Sequence, residues 1–224
     1  MDQNPASGKI AFFKQQLCHY SKLAAHRGLF CGEGEFLSVR IPGSDIILIM
    51  PEETGLEGVA PEETLIMNLK SAPPAGPERL SLPANAAFLI DAYLKRQSIS
   101  AIGHFHPPYA TAFSTCAKNI PFATHPGRQI LKEILWVKCT TCPSRFAGLC
   151  ECIEGQRQSY GGVNIIMLEA DGIVTLGANL KEVFYLADWV ESNARSAYFS
   201  SKILHESLSQ PYGPLEFIAS QSDE

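Results

Sequence analysis

Ile10, Phe13, Leu17, Tyr20 and Leu23 recur every three or four positions, the spacing that lines one face of an α-helix. Gly28 follows as a left-handed stop, so residues near 7 to 27 are predicted to form an amphipathic helix. The apolar period then shortens. Phe36 to Arg40 and Asp45 to Met50 are β-prone runs around Pro42-Gly43-Ser44 and read as a hairpin, with Thr64 to Leu69 as a further strand. Ser71 to Pro83 carries four prolines and reads as a loop. Helical spacing returns over Ala84 to Arg96 through Phe88, Leu89, Ala92 and Tyr93 and leads into the apolar run Ala101 to Phe105. Val163 to Leu168 and Ile173 to Leu176 read as strands joined by the turn Ala170-Asp171-Gly172. Asn179 is placed to cap a long helix, with Glu182 completing a capping box. Leu180, Val183, Phe184, Ala187, Val190, Ala194 and Ala197 form the apolar stripe of that helix, and its Trp and Tyr residues read as core rather than cofactor contacts.

This order of elements describes a mixed α/β domain with hairpin-connected strands rather than a βαβ run. Gly32-Glu33-Gly34-Glu35-Phe36 lacks the glycine spacing of a dinucleotide loop and precedes a strand, not a helix. No internal repeat or low-complexity linker divides the 224 residues, so residues 1–224 read as one domain. With 46% hydrophobic and 18% charged residues the chain can bury a sizeable core. Its net charge of -5 provides no basic stripe for nucleic acid. Neither a leader-like N-terminus nor a run of about 18 apolar residues is present, so a soluble cytoplasmic protein without a membrane partner is expected.

Two motifs carry candidate chemistry. His104 and His106 end an apolar strand one residue apart, and residues i and i+2 of a strand point to the same face, so both imidazoles can converge on one metal ion. The alternative is a pair of half-exposed strand-end histidines. The second motif is Cys139, Cys142, Cys150 and Cys152, four of the seven cysteines within fourteen residues. A Cys-x₂-Cys knuckle followed by Cys-x-Cys can place four thiolates on one tetrahedral Zn²⁺; an iron–sulfur or redox role and free thiols are the alternatives. Cys18, Cys31 and Cys116 are isolated and read as core residues.

The run AIGHFHPPYATAFST (101–115) closely resembles the stretch around the metal-binding histidines of the class II aldolase/adducin family. LAAHRGLF (23–30) with EFLSVRIPG (35–43) resembles the family's N-terminal helix and first strand, APEETLIMNL (60–69) its next loop and strand, and LEADGIVTLGANLKEVFYLADWVESNAR (168–195) its third-ligand segment and final helix. The likeness runs in order over roughly residues 10 to 205. It implies a three-layer α/β/α fold with a central, largely antiparallel sheet, in a cyclic homotetramer whose sites lie between subunits. The cysteine-rich segment, about 136–155, is then a local insertion.

The same resemblance implies a ligand set. His104 and His106 match the paired histidines, and Asp171 stands where the family has a third histidine. Two imidazoles and a carboxylate suit Zn²⁺, with Fe²⁺ or Mn²⁺ also compatible, and leave positions open for substrate. Asp171 can equally serve only its Asp-Gly turn. Asn85 falls at the position of the catalytic glutamate and cannot exchange a proton near neutral pH. His125 falls where some members carry a proton-donating tyrosine, and it can titrate in the required range; an exposed loop histidine is the plain alternative. The phosphate-binding turn before Ser38-Val39-Arg40 reads Glu33-Gly34-Glu35-Phe36, and a second, serine-rich turn reads Leu82-Pro83-Ala84. Two carboxylates beside a dianion cost roughly several kcal/mol at short range in a partly buried site. Glu33 and Glu35 are thus expected to be solvated or to contact a cationic or polyhydroxylated substrate.

Two functions follow. One is a metal-dependent lyase resembling class II aldolases, acting on a hydroxy-carbonyl, sugar-like small molecule through an enediolate-type intermediate. Proton transfer would then fall to His125, a bound water, or a carboxylate such as Glu33 or Glu35. The other is a non-catalytic, adducin-like binding or scaffold domain that keeps the fold and has lost the chemistry.

Overall fold

In the computed structural model, residues 5–32, 34–51, 59–70, 86–130, 134–137 and 164–209 are described. Helix α1 (Pro5–His26) leads to strands β1 (Phe36–Arg40) and β2 (Ile46–Ile49), a single 3₁₀ turn (Pro61–Glu63) and β3 (Leu65–Asn68). Helix α2 (Ala86–Lys95) precedes β4 (Ala101–Phe105), α3 (Pro108–Thr115), α4 (His125–Ile130) and β5 (Ile134–Val137). Strands β6 (Ile165–Leu168) and β7 (Gly172–Gly177) and the 30-residue helix α5 (Leu180–Ser209) complete the order.

The seven strands form one sheet in the order β3-β2-β1-β4-β7-β6-β5. Every pairing is antiparallel except β5 with β6. Because strand side chains alternate, the sheet buries both faces. Leu37, Val39, Ala101, Phe105, Met167 and Ile173 pack with α1, α3 and α5 on one side. Phe36, Ile47, Ile102, Ile166, Val174 and Leu176 pack with Leu89, Ala92 and Tyr93 of α2 on the other. This is the expected three-layer arrangement around a largely antiparallel sheet.

The helix ends follow local chemistry. Gly28 takes φ +68, and Leu29 N–H returns to the Ala24 carbonyl at 2.9 Å, closing α1. At the start of α5, Asn179 Oδ1 accepts from Glu182 N–H at 2.9 Å, but the Glu182 carboxylate reaches the Ala178 N–H at 2.7 Å. The reciprocal half of the predicted capping box therefore lies one residue earlier than expected.

The apolar stripe of α5 is buried as predicted. Its Trp and Tyr residues are not core, however: Tyr185, Trp189 and Tyr198, with Phe199, lie on the outer side, about 40% exposed. A 3.6-residue period can bury only one face of a helix, and these residues fall off that face. Helices α3 and α4 have no counterpart among the predicted elements. The buried residues of α3 are only Ala110 and Ser114, too small to print a hydrophobic period. The expected start of the cysteine-rich insertion, near 136, falls inside β5. Cys139, Cys142, Cys150 and Cys152, like Asn85, Glu33 and the 71–83 loop, lie outside the described residues. Of the isolated cysteines, Cys18 is buried while Cys31 and Cys116 are exposed, contrary to the core reading. No helix among the described residues is long and apolar enough to cross a membrane.

Candidate metal centre

Strand β4 pairs with β1 on one side and β7 on the other, with His104 opposite Phe36 and opposite Val174. Just past these registers, the segment entering β1 and the turn entering β7 both meet the end of β4. There His106 extends beyond the strand, its backbone N–H held by the Leu29 carbonyl at 3.2 Å. The β6–β7 turn has Ala170 at φ 55 and Gly172 at φ 85. A Cβ on Gly172 would sit 2.2 Å from the Phe105 carbonyl oxygen and 2.8 Å from His106 Cδ2. Only glycine lets this turn close against His106, and that closure brings the Asp171 carboxylate to the imidazoles.

One potential ligand atom from each of His104, His106 and Asp171 lies within 4.8 Å of the others. His104 and Asp171 are buried, at 2% and 6% exposure, and the His106 side chain is 20% exposed. The His106 Nε2 is 3.4 Å from Asp171 Oδ1, and His104 Nε2 is 3.8 Å from Asp171 Oδ2. The two rings meet edge to face at 4.5 Å between centroids.

The outward nitrogens of both rings face acceptors. His104 Nδ1 is 3.0 Å from the Gly34 carbonyl oxygen, and His106 Nδ1 is 3.3 Å from Glu35 Oε1. With Nδ1–H given to these acceptors, each neutral ring would present its Nε2 lone pair to the inward side. The inward side is also rich in acceptors: His104 Nε2 lies 2.9 Å from the Asp171 carbonyl oxygen, and His106 Nε2 faces the Asp171 carboxylate at 3.4 Å. Oxygen and nitrogen lone pairs converging in a buried space match a divalent cation, so these residues fit a metal ion.

Burial and the flanking charges set the protonation of the two rings. Burial, and then the charge of His106, hold His104 below its ordinary value, keeping it neutral at pH 7. Burial also pushes His106 down, but hydrogen bonds and charge from Asp171 and Glu35 outweigh it and raise His106 to about 9. Flanked by these two carboxylates, His106 holds a proton at neutral pH. Metal binding must displace that proton. Apparent metal affinity is expected to rise about tenfold per pH unit between pH 6.5 and 9 and to level off above. Calorimetric titrations with Mn²⁺ in buffers of different ionisation enthalpy will read both the slope and the released proton.

Glu35 is only 4% exposed, so the expectation of a solvated carboxylate is corrected. The cause is the turn at Gly34, with φ 86, which folds residue 35 inward. There Glu35 Oε1 accepts the N–H groups of Cys31 at 2.7 Å and Gly32 at 3.0 Å. Burial raises its pKa, but His106 and the Cys31 amide more than offset that and leave it below the ordinary value. His125 is exposed at the first position of α4 and is not one of the residues of this cluster.

Two residues that sequence reasoning passed over hold the surrounding loops. Glu191 accepts the Tyr109 and Ala110 N–H groups at 3.0 and 2.9 Å, fixing the first turn of α3 directly after His106-Pro107. Asn193, 1% exposed, accepts from Ala123 and Thr124 N–H at 3.0 and 3.2 Å and donates to the Pro121 carbonyl at 2.7 Å. It thereby holds the segment that enters α4 and His125. Polar residues set among the apolar positions of α5 were the available signal.

The family model for the class II aldolase and adducin N-terminal domain matches residues 15–198. An L-fuculose phosphate aldolase of Methanococcus maripaludis is 27% identical over 184 residues, 81% of this chain and 94% of that protein. A 5-deoxy-D-ribulose 1-phosphate aldolase of Bacillus thuringiensis is 21% identical over 206 residues, 92% of this chain and 93% of the relative. Among solved structures, an L-fuculose 1-phosphate aldolase from Glaciozyma antarctica superposes with a TM-score of 0.71 at 16% identity, covering 94% of this chain and 79% of that one. An aldolase II superfamily protein from Pseudomonas syringae gives 0.73 at 14% identity, covering 93% and 81%.

Proposed function

Because this chain belongs to the class II aldolase and adducin family, we propose that it is a metal-dependent, aldolase-type lyase acting on a small hydroxy-carbonyl compound. The observation that carries this reading is the buried convergence of His104, His106 and Asp171 on one point, with both Nδ1 atoms engaged and both Nε2 atoms turned inward. A scaffold that has lost its chemistry gives no physical reason to keep two imidazoles and a carboxylate in that arrangement. Relatives of nearly the same length are named as sugar-phosphate aldolases, which supports the lyase over the adducin-like scaffold.

His104 Nε2, His106 Nε2 and an Asp171 carboxylate oxygen would hold the ion, with Zn²⁺ the first candidate and Fe²⁺ or Mn²⁺ compatible with the same donors. When bound, the metal supplies Lewis-acid polarisation of a substrate carbonyl and stabilises the negative charge that develops as the carbon–carbon bond breaks. The protein's own residues then have distinct tasks. Gly34 and Glu35 hold the rings, Gly172 holds the carboxylate in reach, and His125 carries the proton. Glu35 is a poor acid/base candidate, since its Oε1 already accepts two amide N–H groups and faces His106. Asn85 and Glu33, outside the described residues, remain candidate positions for catalysis and substrate contact on the resemblance alone.

The substrate is proposed to lack a phosphate. Cys31 and Gly32 N–H groups, which could otherwise face an anion, are occupied by the Glu35 carboxylate, and a buried negative charge there repels a dianion. A panel of phosphorylated and unphosphorylated hydroxy-carbonyl compounds, assayed with Zn²⁺, Mn²⁺ or Fe²⁺, decides this. Turnover is expected with the unphosphorylated class, at least about tenfold above the phosphorylated class for a charge penalty of about 1.4 kcal/mol or more. Robust cleavage of a sugar phosphate would refute this substrate reading. No turnover of either class, with metal bound, would favour the scaffold. A pH–rate profile left unchanged by His125→Ala would remove His125 from proton transfer.

Two further elements of the proposal concern assembly and the cysteines. A cyclic homotetramer in the cytoplasm would cover the outer aromatic side of α5, where Tyr185, Trp189, Tyr198 and Phe199 are exposed; sedimentation that finds only monomer at micromolar concentration would reject it. Cys139, Cys142, Cys150 and Cys152 are assigned a separate, closed, structural Zn²⁺. Four freely reactive thiols in metal-replete protein, with no Zn²⁺ released on their modification, would exclude it.

A further inference from the structure

The two rings of the metal centre are oriented by two consecutive residues of one turn. The Gly34 carbonyl faces His104 Nδ1 at 3.0 Å, and the Glu35 carboxylate faces His106 Nδ1 at 3.3 Å. The strand register explains the coincidence, since Phe36 lies opposite His104 and the two residues before it fall beside the end of β4. Gly34 itself takes φ 86, the left-handed conformation that lets the turn place both groups beside the end of β4. Glu35 is itself fixed before it meets His106: its Oε1 is pinned by the Cys31 and Gly32 amides, and its side chain is 3% exposed.

We propose that Glu35 is a positioning residue for the metal centre, a carboxylate preset by two backbone amides that receives the Nδ1–H of His106 and aims that ring's Nε2 at the ion. The inference rests on metal binding at His104, His106 and Asp171. It adds to that reading a source of ligand basicity and ring orientation outside the ligand set. Carboxylates behind metal-binding imidazoles fix the tautomer and raise ligand basicity, and removing such a partner commonly costs about 10–100-fold in metal affinity. Glu35 thus does for His106 with a charged side chain what Gly34 does for His104 with a neutral carbonyl, and the two rings should differ in their sensitivity to substitution.

The test is a Mn²⁺ titration followed by electron paramagnetic resonance on the full-length protein, because Mn²⁺ favours oxygen and nitrogen donors over thiolates and reports this centre rather than the cysteine segment. Wild type, E35Q, E35A and H104A are compared, with circular dichroism and thermal midpoints recorded for each. Glutamine keeps an oxygen that accepts the Cys31 and Gly32 amides, so E35Q preserves the turn while removing the charge behind His106. The expected result is a folded E35Q with a midpoint within a few degrees of wild type and a Mn²⁺ affinity about tenfold weaker. E35A is expected to bind still more weakly and serves as the upper limit of the effect. A purely structural role would lower the midpoint of E35A and leave E35Q binding Mn²⁺ as wild type does. Equal affinity of E35Q and wild type, within twofold, overturns the proposal while leaving the metal centre standing. If wild type takes up no Mn²⁺ that H104A loses, the metal-centre reading fails and the role of Glu35 falls with it.

Discussion

Replacing His104 and His106 together by alanine is expected to remove the metal from the strand-end centre and to reduce lyase turnover by at least about a thousandfold, since Lewis-acid polarisation contributes several kcal/mol and each ~1.4 kcal/mol is tenfold in rate. Asp171→Ala should weaken metal binding without abolishing it, because two imidazoles remain. Elemental analysis separates the two proposed sites: if the cysteine segment holds its own Zn²⁺, the double variant keeps that ion and loses only the other. Performing the same pair of measurements in a background with Cys139, Cys142, Cys150 and Cys152 replaced by serine leaves one site to count. Equal metal content before and after the histidine changes, in that background, would show that the centre does not exist. The metal-free double variant will also be less stable than wild type, because the buried carboxylates of Glu35 and Asp171 lose the cation between them. Circular dichroism must therefore accompany the rate.

What could be read from the residues and what could not divides along physical lines. Strands β1 and β3 were legible as short runs of β-prone residues, and helices α1 and α5 because large apolar side chains print a period of 3.6 on the sequence. The His-x-His pair was legible because strand geometry alone places both rings on one face. Asp171 was legible only through resemblance. Its approach to His106 depends on Gly172 fitting against the Phe105 carbonyl, a contact between segments far apart in the chain. Glu35 was misread for the same reason. A surface glutamate is the common case, and nothing local says that Gly34 at φ 86 turns this one inward against an imidazole seventy-one positions later. Glu191 and Asn193 stand out as polar residues beside the apolar stripe, but their partners, backbone amides of α3 and of the segment before α4, could not be read. Backbone donors carry no mark in a sequence.

Gly172→Ala is expected to be the most damaging single substitution away from the ligands themselves. Gly172 combines φ 85 with a Cβ position 2.2 Å from the Phe105 carbonyl oxygen. The left-handed backbone costs about 1–2 kcal/mol for a residue with a Cβ, and forced overpacking adds about 1–3 kcal/mol. The neighbour is main chain of a central strand and cannot swing aside, so the turn must open. A loss of about 4 kcal/mol lowers the midpoint of a domain this size by roughly 8–16 °C. Gly43→Ala provides the control: Gly43 has φ 77 but nothing within 4 Å of its Cβ position. It should show only the backbone cost, about 1–2 kcal/mol, and should leave metal affinity intact. Opening the 170–172 turn withdraws Asp171 from the imidazoles, so Gly172→Ala should lose metal affinity as well as stability. Equal midpoints for the two glycine variants, with metal affinity unchanged in both, would mean that the approach of the β6–β7 turn to His106 does not hold the ligand set together.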